Sequence, residues 1–147
     1  MRPVIFLRIA SVLTFIHAAL HTIGGVFGSP APGPQQIAVS AMKANTFPVM
    51  GFTRSFWDFY MGMGLAVSVF LTAEAIVFWQ LASLAKTDAL RLRPILTTFT
   101  VAYLAFAQVS LTYFFPPPVI TEVLIALCLS GAIVTAKSAV PVAIPSH

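Results

Sequence analysis

The sequence predicts an all-α protein, a four-transmembrane-helix bundle forming one integral membrane domain over residues 1–147. Three observations carry that expectation. The chain is 59% hydrophobic and only 8% charged, where soluble domains carry roughly 25% charged residues. Four apolar runs each approach the ~20 helical residues needed to cross a ~30 Å hydrocarbon core. Basic residues lie mostly at the ends of those runs, where they set orientation.

The first run extends from Val4 to Phe27. Arg2 ahead of V-I-F-L has the look of a secretion signal. Arg8 interrupts the apolar stretch, however, and about 24 residues is too long for a signal core and long enough to span. A retained helix is therefore expected. The second run covers Ser55 to Leu84. The third opens at Pro94, a favoured first-turn position for proline, and reaches Phe115. The fourth follows Pro116-Pro117-Pro118 and covers Val119 to Lys137. The triple proline reads as a stiff, tight turn, which makes the third and fourth helices antiparallel neighbours.

The connections differ in kind. G-S-P-A-P-G-P, from Gly28 to Pro34, cannot continue a helix. After it, Ile37, Ala38, Ala41 and Met42 have the spacing of a short amphipathic helix in the outer first loop. K-T-D-A-L-R-L-R, from Lys86 to Arg93, is a short basic loop. With four spans, Arg2, Arg8, Lys86, Arg91, Arg93 and Lys137 share one side, six of the eight basic residues. The positive-inside rule puts that side, with both termini, in the cytoplasm. Trp57 and Trp79 stand roughly 33 Å apart along one helix, which suits one indole at each interface.

Composition excludes some functions. The net charge of +4 comes without a basic stripe interleaved with aromatics, so no nucleic-acid partner is expected. The single cysteine, Cys128, rules out an intrachain disulfide and reads as a small core residue. No motif calls for a cofactor.

Ionisable groups within spans mark function by default, and depth along the helices sorts them into two groups. The outer group is His17 and His21 on the first helix, with Arg54, Asp58 and Tyr60 at the start of the second. Gln108 and Tyr113 of the third and Glu122 of the fourth complete it. His17 and His21, four residues apart, share one helix face at ~5–6 Å between Cβ atoms. Asp58 has two readings. Ser55 followed three residues later by Asp58 has the form of an N-terminal capping box, and the same position would aim the carboxylate at His21 if the first two helices touch. Glu122, just after the prolines, has the same two readings. The aromatics F-W-D-F-Y, which include Trp57 and Tyr60, and Y-F-F at 113–115 read as an interfacial belt or as pocket walls. The inner group, Arg8 and Glu74, reads as a buried ion pair, or as an arginine snorkelling to headgroups. G-x-x-x-G at Gly24–Gly28 and G-x-x-x-A at Gly62–Ala66 allow close helix approach.

F-L-R-I-A near the start, H-T-I-G-G, M-G-F-T-R-S-F-W-D-F-Y-M-G-M-G and Y-F-F-P-P-P together resemble a family of small bacterial four-helix membrane proteins. In size and topology the chain is also similar to DoxX-type proteins. Those resemblances imply the four-helix membrane fold and bring no activity with them. Eicosanoid and glutathione membrane enzymes share the four-helix plan, but their arginine- and asparagine-rich second-helix signature is missing here. The sterol isomerases of the emopamil-binding type are similar only in site chemistry, with histidine and carboxylates in an intramembrane pocket.

The function these residues predict is an outer-leaflet polar pocket that binds an apolar small molecule such as a lipid or isoprenoid. His21, Asp58 and His17 would carry any acid–base chemistry. Arg54, Trp57, Tyr60, Gln108, Tyr113 and Glu122 would line the ligand site. Two alternatives stand beside it: an accessory or assembly subunit of a larger membrane complex, and a metal-binding module built on His17, His21 and a carboxylate. Membrane lipids are expected partners under every reading, and homo-oligomerisation stays open.

Overall fold

The computed structural model describes residues 2–137. In chain order the elements are α1 (Arg2–Leu20), a π-helical segment (His21–Val26), α2 (Pro34–Ala44), strands β1 (Thr46–Val49) and β2 (Phe52–Ser55), α3 (Phe56–Asp88), a 3₁₀ turn (Leu90–Leu92), α4 (Arg93–Tyr113) and α5 (Pro116–Thr135). Four helical stretches are long and apolar enough to cross a membrane: Arg2–Val26, Phe56–Asp88, Leu90–Tyr113 and Pro116–Thr135. The described chain forms two compact units, with boundaries inside α1, after His17, and inside α3, before Ala73.

The first unit holds α1 to His17, α3 from Ala73, α4 and α5. Each helix places core residues at steps of three and four, the period of one helical face. Leu7 and Ala10 of α1, Phe78 and Ala82 of α3, Leu96 and Tyr103 of α4, and Ile125 and Leu129 of α5 make one buried cluster. Phe78 is its hub, edge-on to Phe99 at 5.0 Å and tilted against Tyr103 at 6.1 Å between ring centroids. Small residues set the helix spacing. A Cβ on Gly131 would lie 2.9 Å from the Phe6 ring. Ser11 Oγ donates to Ala75 O at 2.6 Å, which pins α1 to α3.

α4 and α5 pair extensively and are antiparallel, as the short connection dictates. Arg93 Nε at the start of α4 donates to Ile133 O near the end of α5 at 3.1 Å. Ser110, near the end of α4, meets Glu122, near the start of α5. The prolines differ from the expectation of a turn. Pro116, Pro117 and Pro118 are themselves the first turn of α5, because proline's fixed φ already suits a helix start. The fourth span accordingly begins three residues earlier than expected. The basic loop is also more helical than expected: α3 runs through Lys86 to Asp88, and Leu90–Leu92 form a 3₁₀ turn.

The second unit spans Ala18–Thr72. The first apolar run does not end as a regular α-helix. From His21 to Val26 it widens into a π-helix, and Phe27 N donates to Thr22 O five residues back at 3.0 Å. The amphipathic helix expected after the Pro/Gly stretch is present as α2. A β-hairpin then follows, which the sequence did not suggest, pairing Thr46 with Ser55 and Val49 with Phe52 across Met50-Gly51. Met50 and Gly51 have φ of 48° and 86°, the left-handed pair that a two-residue hairpin turn needs. In such a turn the flanking pair carries the hydrogen bonds. Pro48, opposite Thr53, then falls where no N–H is required. Phe47 of the hairpin packs on Phe56 at 4.9 Å and on Phe59 at 6.1 Å between centroids.

Candidate functional site

The inward stripes of the first unit are not wholly apolar. Thr14 and His17 continue the Leu7–Ala10 face of α1, Ser110 continues the Tyr103–Ala107 face of α4, and Glu122 opens the Ile125–Leu129 face of α5. All four are buried, Glu122 completely. Helical spacing alone therefore drives a carboxyl group, an imidazole and two hydroxyls into the core.

Their contacts are specific. Ser110 Oγ donates to Glu122 Oε1 at 2.9 Å. His17 Nε2 stands 3.9 Å from the same oxygen, at ion-pair distance when the imidazole is protonated. The His17 ring stacks on Phe106 with centroids 6.2 Å apart and planes 18° apart. Glu122 Oε2 is buried and has no hydrogen-bond partner among the described residues. Elsewhere in this core Tyr103 OH donates to Glu74 Oε2 at 2.7 Å, and Thr14 Oγ1 donates to Ala10 O at 2.8 Å. The 3.4 Å contact between the Thr14 and Tyr103 hydroxyls must share protons already committed to those acceptors.

The remaining predicted residues are placed differently. His21 Nε2 donates to Gly64 O at 3.0 Å, since a carbonyl can only accept. Asp58 completes the capping box: Oδ2 accepts from Ser55 N at 2.7 Å and from Ser55 Oγ at 2.9 Å, while Asp58 N donates to Ser55 Oγ at 3.2 Å. The Asp58 carboxylate therefore serves the start of α3, and His21 serves a backbone carbonyl further along the same helix. Ser55→Ala is expected to lower stability by about 1 kcal/mol, the usual cost of a lost cap, as read by thermal unfolding in detergent. Tyr60 OH donates to Gly25 O at 3.1 Å within the π-helical segment. Trp57 stacks on Tyr60 at 5.3 Å and carries Lys43 Nζ over its ring at 4.4 Å. Arg54 donates to its neighbour's carbonyl, Thr53 O, at 2.9 Å. Among the described residues Gln108 bonds only within its own helix, to Thr112, and Tyr113 is exposed.

The structure thus joins His17 to Glu122 and adds Ser110 to them, a residue the sequence reading passed over. Its signal was present: Ser110 lies three residues after Ala107 and seven after Tyr103, on the inward face. Glu122 is the seventh residue of α5, beyond the first turn, so it does not cap the helix. The expected ion pair between Arg8 and Glu74 is not formed among the described residues, because Glu74 is engaged by Tyr103 and Arg8 lies on Trp79. No group of three or more His, Cys, Asp or Glu side chains within metal-binding reach occurs among the described residues. Cys128 is a free thiol, half-buried beside the core.

Comparison with known protein families, with curated proteins and with solved structures finds no match.

Proposed function

We propose that this is an integral membrane protein that binds an apolar small molecule, such as a lipid or isoprenoid, through a polar end received by His17, Glu122 and Ser110. The observation that carries the reading is the fully buried Glu122 with an imidazole and a hydroxyl on one oxygen. Ionisable side chains inside apolar spans are expensive and are retained for function. The free Oε2 accepts from a ligand hydroxyl or, as a carboxylic acid, donates to a ligand carbonyl.

An apolar groove of about 270 Å³ on the α4–α5 corner supports the same reading. It is lined by Leu111, Phe114, Phe115, Pro116, Val119 and Ile120. Leu111 adjoins Ser110 in the chain, and Val119 lies one turn before Glu122, so a tail in this groove extends from the polar cluster. The charge distribution of the loops favours both termini in the cytoplasm, which would put this corner in the outer leaflet. Any chemistry on the ligand would be proton transfer by the imidazole–carboxyl pair.

Native mass spectrometry of protein purified in mild detergent tests this. Wild type is expected to carry a lipid-sized adduct, and Glu122→Gln to hold it on the order of tenfold more weakly, a loss of about 1.4 kcal/mol. His21→Ala and Asp58→Asn are expected to retain it. An adduct indifferent to Glu122, or its absence from wild type, would reject the reading.

A second reading, an accessory subunit of a larger membrane complex or a homo-oligomer, is favoured by one face of α3. Gly62 and Ala66 are exposed there, and a Cβ on Gly62 meets nothing within 4 Å. Small residues at this spacing let a second helix approach closely. If a partner docks there, Gly62→Ile should abolish co-purification while leaving thermal stability unchanged.

A further inference from the structure

Arg8 is a second charge inside an apolar span, and no carboxylate among the described residues answers it. Among the described residues the ion pairs are His17–Glu122 and Arg91–Asp88. The Arg8 guanidinium lies flat on Trp79, its central carbon 3.4 Å from the ring centroid. Nη2 donates to Ser83 Oγ at 3.2 Å, and Nη1 is turned inward without a hydrogen-bond partner among the described residues. Stacking and a neutral hydroxyl hold the planar head in one orientation without neutralising it. In a low-dielectric setting an uncompensated cation draws an anion strongly.

What lies beside it is apolar. Ser11 and Ala75 form the floor of an open groove of about 340 Å³, walled by Val12, Phe15, Ile76 and Trp79. The floor is narrow because the Ser11–Ala75 hydrogen bond draws the two helices together. Arg8, Ser11, Val12 and Phe15 occupy one face of α1, and Ile76, Trp79, Ser83 and Lys86 one face of α3. The groove therefore leads away from the guanidinium along the helices for roughly 10 Å, at 1.5 Å per residue. Exposed Lys86, two turns beyond Trp79, adds positive charge at the arginine end.

We infer that this groove binds one anionic phospholipid, its phosphate on Arg8 and one acyl chain along Val12, Phe15, Ile76 and Trp79. The assignment rests on the membrane reading above but on none of the residues of the His17–Glu122 site. Charge selects the occupant: a zwitterionic lipid brings its own cation to the phosphate, whereas an anionic one leaves it free to neutralise Arg8. The stacked guanidinium holds its positive charge at the end of the groove, where a phosphate meets it, and the apolar walls require a chain, which a free phosphate lacks.

Delipidated protein titrated with phosphatidylglycerol, with phosphatidylcholine of the same chains, and with glycerol 3-phosphate, followed by native mass spectrometry, tests this. One phosphatidylglycerol is expected to bind at least about tenfold more tightly than phosphatidylcholine, and glycerol 3-phosphate is expected not to bind. Arg8→Gln should erase the preference between lipids. Ile76→Trp, which fills the groove and leaves Arg8 intact, should weaken phosphatidylglycerol, with far-ultraviolet circular dichroism confirming that both variants fold. Equal binding of the two lipids, a preference that survives Arg8→Gln, binding of glycerol 3-phosphate, or indifference to Ile76→Trp would overturn the assignment. Because Glu122→Gln leaves this groove untouched, its failure to alter phosphatidylglycerol binding keeps the two sites distinct.

Discussion

Glu122→Ala is expected to lower the unfolding free energy in detergent by about 3 kcal/mol, within the range for removing one partner of a buried polar pair. Glu122 is completely buried, so truncation leaves a cavity and takes a partner from two neighbouring groups. Ser110 Oγ loses its acceptor at 2.9 Å and His17 loses the carboxylate at 3.9 Å. Neither can turn to water in a packed core. Glu122→Gln separates the two contributions: the amide oxygen still accepts from Ser110 and the volume is kept, so a loss below about 1 kcal/mol is expected. Thermal unfolding of the three proteins side by side is the measurement. Equal losses for Ala and Gln would mean that charge, and not shape and hydrogen bonding, holds this core together.

Gly64→Leu is the second substitution with a large expected effect, a loss of about 2 kcal/mol from overpacking. A Cβ on Gly64 would meet Val26 Cγ2 at 3.0 Å, so the larger side chain has no room on that face. The same residue's carbonyl accepts from His21 Nε2. Any shift that relieves the clash therefore pulls on that hydrogen bond. Nearby, Thr22 Oγ1 lies 2.8 Å from Ser68 Oγ, so the lock has more than one bolt. Val26→Ala opens space opposite Gly64 and should recover part of the loss in the double variant. A double-mutant cycle with no coupling would show that the two side chains do not share that contact.

The four spans were legible because each is an apolar run of the right length, a property carried by many residues at once. The amphipathic α2 was legible for the same reason, through Ile37, Ala38, Ala41 and Met42. The hairpin was not. Its turn is Met50-Gly51, without the asparagine or aspartate that usually announces such turns, and Pro48 argues against a strand until the register is known. The π-helical segment left no periodic trace either, since widening a helix by one residue per turn changes no composition.

The candidate site was half legible. His17 and Glu122 were singled out as ionisable groups in spans, and the structure brings them together. The pairing of His21 with Asp58 depended on which way two helix faces turn, and one-dimensional spacing gives only relative angles within a helix. Capping claimed Asp58 first, because Ser55 is three residues away and needs no tertiary contact to reach it. Ser110 was passed over because a lone serine in an apolar helix usually bonds its own backbone.

The three prolines that open α5 have a consequence for where the α4–α5 corner can reside. A helix start normally presents four amide hydrogens without partners, and in hydrocarbon each costs several kcal/mol. Pro116, Pro117 and Pro118 have no amide hydrogen, so of those four only that of Phe115, the residue before the helix, is left. The aromatic neighbours Phe114 and Phe115 add apolar surface around the turn. This corner can thus sink below the headgroups without stranding more than that one backbone donor. A 20-residue helix such as α5 can in that way keep its first turn inside a bilayer that it only just spans.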